Sequence, residues 1–480
     1  MSLSYSQLSN SPKTTFTLWT GYFFSINVVV GAGFLTLPYV FHRAGWLFSS
    51  AYMIFTAFVC YFIAAQLIEV MSRAEIILRM REEGYKIDKP SFKELFLGRK
   101  CEGSILLKEN YTPQITDRRI DVSESMRIIF GNVHGALYVF MLYFYFQGAQ
   151  TAYASIFASS FTANIPLYTS SCDISKQDGF INDCRFNYWT FLLIYGCAMM
   201  FLTIKGMQEQ KWLQVTLTFM RFLIMSMVIF TSLALIITKD QIDGGGGHSP
   251  DMGSPMNPEH APNALSVILF AFVYQLQLPS IIEFVQDREK SLPRIIMMVT
   301  ATCMFFYLSL GLIVPAAVDS PESLVTLNYK DYTGGYSERY WWAYIIGYLI
   351  VLFPAADVFS SFPIMAIPLS DNLITIAFGT SAQERIERKK VVGFRVLCVC
   401  LPLFVAFIES DLGVITTLTG LFGFYLVPIA IPLMHLGSRV MVPQKGPYDV
   451  KFSPVWLSWL IIIFSIGILF YSIIDLIIYL

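Results

Sequence analysis

Long unbroken apolar stretches constrain this chain more than any other feature of its sequence. A helix needs about 20 apolar residues to cross a hydrocarbon core of about 30 Å. Lipid offers the backbone no hydrogen-bond partners, so such stretches must be helical when they span it. Crossings are predicted at 17–41, 46–71, 128–162, 188–206, 212–237, 264–286, 295–318, 341–376, 391–409, 413–436 and 455–479. Composition agrees: charged residues make up 14% of the 480 positions, about half the ~25% usual in globular domains. The expected class is an all-α integral membrane protein with about eleven transmembrane helices. The first sixteen residues are polar and the stretch beyond them is too long for a signal h-region, so the first crossing is expected to act as its own insertion signal.

Positive charge sets the orientation. With a cytoplasmic N-terminus, the inside loops hold 26 of the 33 Lys and Arg and the outside loops hold 6, with Arg221 left inside a crossing. The 73–127 loop alone contributes twelve. This bias follows the positive-inside rule and places the C-terminal end outside, or in the lumen of a vacuolar or lysosomal membrane if the protein is not at the plasma membrane. Of the eight cysteines, Cys172 and Cys184 alone fall in an outside loop, where an oxidising space permits a disulfide between them. Asn110-Tyr111-Thr112 fits a glycosylation acceptor but is assigned to the inside and is expected to be unmodified. The stretch 'SRAEIILRMREEGYK' after the second crossing reads as an extension of that helix, and the 'DGGGGHSPDMGSPMNPEHAPN' loop has no apolar period.

The first crossing contains 'INVVVGAGFLTLPYVF', with Gly31, Ala32 and Gly33 near its middle and Pro38 five residues on. Small residues and a nearby proline let a helix unwind, exposing free N–H and C=O groups at membrane depth. The sixth crossing repeats the pattern in 'FAFVYQLQLPSIIEF', where Gln275 and Gln277 precede Leu278-Pro279. These two crossings open the two halves of a five-plus-five arrangement and enter from opposite sides. Interrupted segments at corresponding positions of inverted halves point to a secondary transporter's binding site. The N-terminus of a half-helix suits a carboxylate and the freed carbonyls suit a cation, so the geometry fits a zwitterion.

At these residues the chain resembles the amino acid/auxin permease family of the amino acid–polyamine–cation superfamily. The motif 'NVVVGAGFLTLPYVFHRAGW' carries the resemblance, with 'FAFVYQ' at 270–275 matching the start of the sixth helix. The resemblance implies a LeuT-type fold of two inverted five-helix repeats, 17–237 with its cytoplasmic loop 73–127 and 264–436, plus an extra helix at 455–479, together forming one transmembrane domain over 1–480. It also implies secondary transport of amino acids, with the substrate carboxylate at Gly31, Ala32 and Gly33 and Asn27 at the substrate and ion site. Many members carry His where Gln275 stands, and the stretch from Gln275 to Leu-Pro is one residue shorter than in the sodium-coupled neutral amino acid branch.

Ionisable residues deep in a crossing are costly and functional by default. Asp357 lies in the eighth crossing and Arg221 in the fifth, at similar depths in the inner half. Arg keeps its proton in proteins while a carboxylate in low dielectric can gain one. The expectation is that Arg221 stands in for a sodium ion and Asp357 carries a coupled proton. Ser360 and Ser361 share a helical face with Asp357 and support the rival, sodium-coupled reading. Tyr143, Tyr145 and Gln147 in the third crossing and Phe272 near the sixth-crossing break are further candidates for the substrate pocket. Glu283 beyond that break reads as a gate or bundle partner, and Asp475 as interfacial.

The five histidines, at 42, 134, 248, 260 and 435, form no cluster and no enzyme constellation is apparent, so no cofactor is expected beyond a coupling H+ or Na+. The partners expected are an amino acid and the lipid bilayer, with no nucleic acid. A transport-inactive amino acid sensor of the same fold is the other alternative. Tags at the two termini test the orientation: in intact cells or sealed vesicles, protease added outside (or in the lumen) should remove a C-terminal tag and spare an N-terminal one.

Overall fold

The computed structural model describes residues 16–31, 33–85, 87–98, 113–115, 120–165, 167–168, 174, 182–205, 211–240, 242, 252–282, 285–319, 321–378, 387–410, 412–450 and 453–479, the side chains of 211–214, 280, 360, 375–376, 412–413 and 475–479 excepted. Sixteen α-helices follow in order: α1 Leu18–Val29, α2 Gly33–Ala44, α3 Trp46–Glu82, α4 Phe92–Leu97, α5 Val122–Phe130, α6 Asn132–Asn164, α7 Asp183–Lys205, α8 Lys211–Thr238, α9 Ala261–Phe272, α10 Leu278–Ile282, α11 Arg288–Ala317, α12 Trp341–Phe378, α13 Arg388–Ile408, α14 Leu412–Phe424, α15 Ala430–Met441 and α16 Val455–Tyr479. Among the described residues the sole β-type pairing is one bridge between Phe16 and Val285. The chain is an all-α, multi-pass membrane protein.

Seven of these helices, and α14 with α15 taken as one through the turn that joins them, are long and apolar enough to cross a membrane, which makes eight spans, or nine if the bent pair α1–α2 is one span. The sequence reading assigns two more crossings, α6 and the α9–α10 pair. α9 and α10 are short because the span is broken between them. α6 is long, but it carries Gln147, Gln150, Thr151, Ser155 and Ser160, all buried in protein.

Local sequence explains the irregular points. The amphipathic stretch after the second crossing is helical as expected, since α3 runs unbroken to Glu82 and buries Ser72, Arg73, Ala74, Glu75, Ile76 and Ile77. The third crossing was expected as one span from 128, but Gly131 at φ 95° makes a corner between α5 and α6 that an L side chain rarely adopts. The tenth crossing was expected to be regular, yet a π-helical turn at Tyr425–Ile429 joins α14 to α15 around Pro428, which has no N–H to give the helical ladder.

Packing places the broken crossings in the centre. α2 lies on α9 and α1 against α10, while α11 backs α1, α2, α3 and α8, and α6 backs α7, α12, α13 and α14. The approach of α2 to α9 is close: a Cβ on Gly33 would sit 2.8 Å from the Ala271 Cα. Glycine here lets two half-helices touch backbone to backbone.

A second buried polar centre ties the far end of the molecule together. Glu69 on α3, fully buried, accepts from Arg439 Nε at 2.6 Å and from the Val450 N–H at 2.8 Å, and it pairs with Arg73 Nη1 at 2.6 Å. Arg73 also reaches Asp449 at 2.9 Å, and His435 Nε2 lies 3.2 Å from the Glu69 carboxylate. The cluster joins α3, α15 and the segment leading into α16. Truncating one member leaves buried charge uncompensated, so Glu69→Ala should cost about 3–5 kcal/mol. Unfolding of the purified protein in detergent should read this loss, against a change within about 0.5 kcal/mol for Glu83→Ala at an exposed position.

Candidate functional site

The two breaks form where the sequence weakens the helix. α1 ends in the β-branched run Val28-Val29-Val30, and Val30 leaves helical geometry at φ −78°, ψ 69°. The Gly31 N–H turns back to the Val29 carbonyl at 2.8 Å, and α2 restarts at Gly33 with a 53° change of direction. In the sixth crossing α9 stops at Phe272, and Val273 is extended at φ −80°, ψ 101°. A turn over Gln275–Gln277 leads into α10, where Pro279 sits in the first turn that tolerates it.

Side chains brace both openings. Gln275 is fully buried; its Oε1 accepts from the Tyr274 N–H at 3.0 Å and its Nε2 donates to the Cys60 carbonyl on α3, also at 3.0 Å. The Tyr307 hydroxyl on α11 lies 3.3 Å from the carbonyl of Val29 and 3.3 Å from that of Ala271. One phenol thus lies against carbonyls at the ends of α1 and α9 together, adding to the Gly31 N–H that the Val29 carbonyl already accepts. Its ring meets Phe272 edge-on at 5.2 Å.

Arg221 fills the space beside the first break. Fully buried on α8, it donates Nε to Asp357 Oδ1 on α12, Nη1 to the carbonyl of Asn27 on α1, and Nη2 to Ser361 Oγ at 2.7 Å. A buried guanidinium cannot shed its proton, so it holds its place through these partners. Tyr153 of α6 closes the group: a Cβ on Gly31 would meet its hydroxyl at 2.8 Å, and the phenol lies by Ser361 within reach of the Arg221 and Asp357 charges. Among the described residues, no three His, Cys, Asp or Glu side chains gather as they would around a metal ion.

Asn27, Gly31, Arg221, Asp357 and Ser361 come together in the fold, with Asn27 giving its carbonyl to Arg221. Gly33 and Phe272 stand at the adjoining contact between α2 and α9. Gln275 belongs to the break but spends its amide on backbone groups. Tyr143 is half-buried against Phe144 at 5.7 Å, away from the guanidinium, and Gln147 is buried one helical turn before Thr151, whose hydroxyl approaches the α13 carbonyl of Pro402 at 3.4 Å. Tyr145 turns inward, toward Phe270. Ala32, Cys172, Glu283, the Asn110–Thr112 sequon and the side chains of Ser360 and Asp475 lie outside the described residues. Cys184 is buried at the head of α7.

Tyr153 and Tyr307 escape a sequence reading. In 'QTAYASIF' the signal for Tyr153 is its bulk and hydroxyl among small residues; Tyr307 in 'CMFFYLSL' looks like any packing aromatic. A buried Tyr hydroxyl nonetheless needs a partner. Tyr307→Phe should lower stability in detergent by about 1 kcal/mol, the net value of one such hydrogen bond. Tyr61→Phe, with its half-buried hydroxyl, is the comparison.

Residues 14–478 match the family described as transmembrane amino acid transporter protein. The chain is also similar to the Transmembrane protein 104 homolog of Drosophila melanogaster, 23% identical over 95% of this chain and 96% of the fly protein. It is similar to Transmembrane protein 104 of Mus musculus, 25% identical over 86% of each chain, and to that of Homo sapiens, 24% identical over 87% and 86%. Two interrupted, mutually packed helices, the first with a buried ion pair beside it, sit within a match that covers nearly the whole sequence, and the chain belongs to the transmembrane amino acid transporter family.

Proposed function

We propose that this protein is a secondary active transporter that moves amino acids across a membrane with protons as the coupling ion, by alternating access around the broken first and sixth crossings. Eleven crossings in two inverted five-helix repeats with one added helix, in a single domain, form the framework of this reading. The observation that carries it is the Arg221 guanidinium, bonded at once to an α1 carbonyl beside the break and to a carboxylate and a hydroxyl on α12. A carbonyl, a carboxylate and a hydroxyl are the oxygen donors a small hard cation would take. Here a permanent cation already satisfies them, which favours protons over sodium.

The substrate's carboxylate is held at the Gly31–Ala32–Gly33 opening at the start of α2, where N–H groups and the helix dipole favour negative charge. Phe272, and Tyr145 behind it, wall the apolar side of the same space, and Tyr153 adds a hydroxyl at Gly31. Protonation of Asp357 removes one of the three anchors of Arg221, and α1 and α12 are then free to shift relative to each other. Gln275 acts by holding the sixth-crossing break open against α3, Ser361 acts through Arg221, and Tyr143 lies on the margin of the path. Outside the membrane, Cys172 and Cys184 pair to close the loop before α7.

Uptake into proteoliposomes tests the reading. An inward proton gradient should drive accumulation of radiolabelled amino acid, and a sodium gradient at matched pH should not. In Asp357→Asn, which keeps the shape and an acceptor for Arg221, the stimulation by the proton gradient should disappear while exchange of substrate persists. Proton dependence unchanged in that variant would sink the role of Asp357, and binding without flux under any gradient would favour a sensor.

A further inference from the structure

A short helix from the segment after α3 is held against the start of the last crossing. α4 has six residues, fewer than persist as a helix alone in water. A capping box starts it: Ser91 Oγ accepts from the Glu94 N–H at 3.3 Å, and the Glu94 carboxylate accepts from the Ser91 N–H at 2.6 Å. Gly98, left-handed at φ 60°, ends it so close to α16 that a Cβ would lie 2.8 Å from Val455 Cγ2. Between these ends Leu95 is buried with Leu436 of α15 and Ile462 of α16. The Phe92 and Phe96 rings meet Trp459 of α16 at 5.9 and 5.8 Å.

That docking leaves most of both phenylalanines outside: Phe92 is 71% exposed and Phe96 60%. Their surroundings point to what covers them. Ile462 lies two helical turns into α16, about 10 Å from its start at 1.5 Å per residue, so α4 lies beside the first turns of a membrane-crossing helix. Trp456, Leu460 and Ile463 on the exposed side of α16 continue the same apolar surface along the crossing. An interfacial helix sits at this depth, with its apolar face about 5–10 Å into the boundary between headgroups and acyl chains. Charge agrees. Residues 86–100 hold five Lys and Arg against two acids, and one of those acids, Glu94, is engaged in its own helix cap. Lys89 and Lys93 are exposed. The positive-charge bias of the loops assigns this end to the cytoplasmic leaflet, the one rich in anionic phospholipid.

We propose that α4 forms a binding site for an anionic phospholipid of the bilayer, in which Phe92 and Phe96 enter the acyl chains and Lys93, with Lys89 just before the helix, meets the negative headgroup. The site stands apart from the Arg221 group, and it holds or fails whether or not the protein transports an amino acid.

Photocrosslinking on the full-length protein tests it. The photoreactive residue p-benzoylphenylalanine, in place of Phe96, is irradiated in liposomes of equal parts phosphatidylcholine and phosphatidylserine, and the lipid adducts are read by mass spectrometry. The same residue in place of Phe470, exposed near the far end of α16, reports the lipid met by an ordinary bilayer-facing position. The ratio of serine to choline adducts should be about fivefold higher at Phe96 than at Phe470, the factor that one basic residue at a membrane surface supplies. Lys93→Gln should lower the ratio at Phe96 about fivefold, and Lys93→Arg, which keeps the charge, should leave it unchanged. Placing the probe at Phe92 gives a second reading should the Phe96 variant fold poorly. Equal ratios at Phe96 and Phe470, or a ratio indifferent to Lys93→Gln, would overturn the site. So would an adduct with another polypeptide in cells, with no lipid adduct at either phenylalanine, since the face would then belong to a protein.

Discussion

One buried guanidinium organises the centre of this protein. Arg221 is out of contact with solvent, cannot lose its charge, and reaches three elements that are far apart in sequence: the first helix, its own α8, and α12. Such a charge is tolerable in a membrane interior because Asp357 neutralises it and because a carbonyl and a hydroxyl take its remaining N–H groups. The carbonyl of Asn27 lies just before the point where α1 gives up its helical bonding. The ion pair and the broken helix are therefore one feature: relieving either alters the demands on the other.

Around that centre, the interrupted crossings are stable because their loose backbone ends are supplied with partners from neighbouring helices. Tyr307 serves the ends of α1 and α9 with one hydroxyl, and Gln275 fastens the second break to α3. Gly33 allows α2 to lie directly on Ala271. The Val29 and Ala271 carbonyls and the Gln275 amide are thus engaged by neighbouring helices. A different design anchors the other end of the molecule, where Glu69 with Arg73, Arg439 and Asp449 holds the approach to α16.

Much of the site was legible because its residues violate local expectations. A Gly-Ala-Gly run inside an apolar stretch, a Leu-Pro pair after two glutamines, and single charges at 221 and 357 stand out against a membrane-spanning background. Other members carry no such contrast. Tyr143 and Tyr145 are two residues apart on one helix, and periodicity cannot say which faces the breaks; in the fold Tyr145 turns inward and Tyr143 toward the margin. Gln275 stood out for being polar in a crossing, yet its amide is taken up by backbone groups. Tyr153 and Tyr307 were hidden among many aromatics.

The sequence by itself determined that the chain is helical and crosses a membrane many times, gave a charge bias from which an orientation is expected, and marked where two of its helices must fail. The first and the last follow from run length and the conformational freedom of particular residues, which act over a few neighbouring positions. Tertiary structure alone decided that Arg221 meets Asp357, Ser361 and the Asn27 carbonyl, that one tyrosine hydroxyl bridges both breaks, and that a corner at Gly131 and a π-turn at Tyr425–Ile429 interrupt helices that read as continuous. Partners more than a hundred residues apart are chosen by how whole helices pack, and no local pattern encodes that choice.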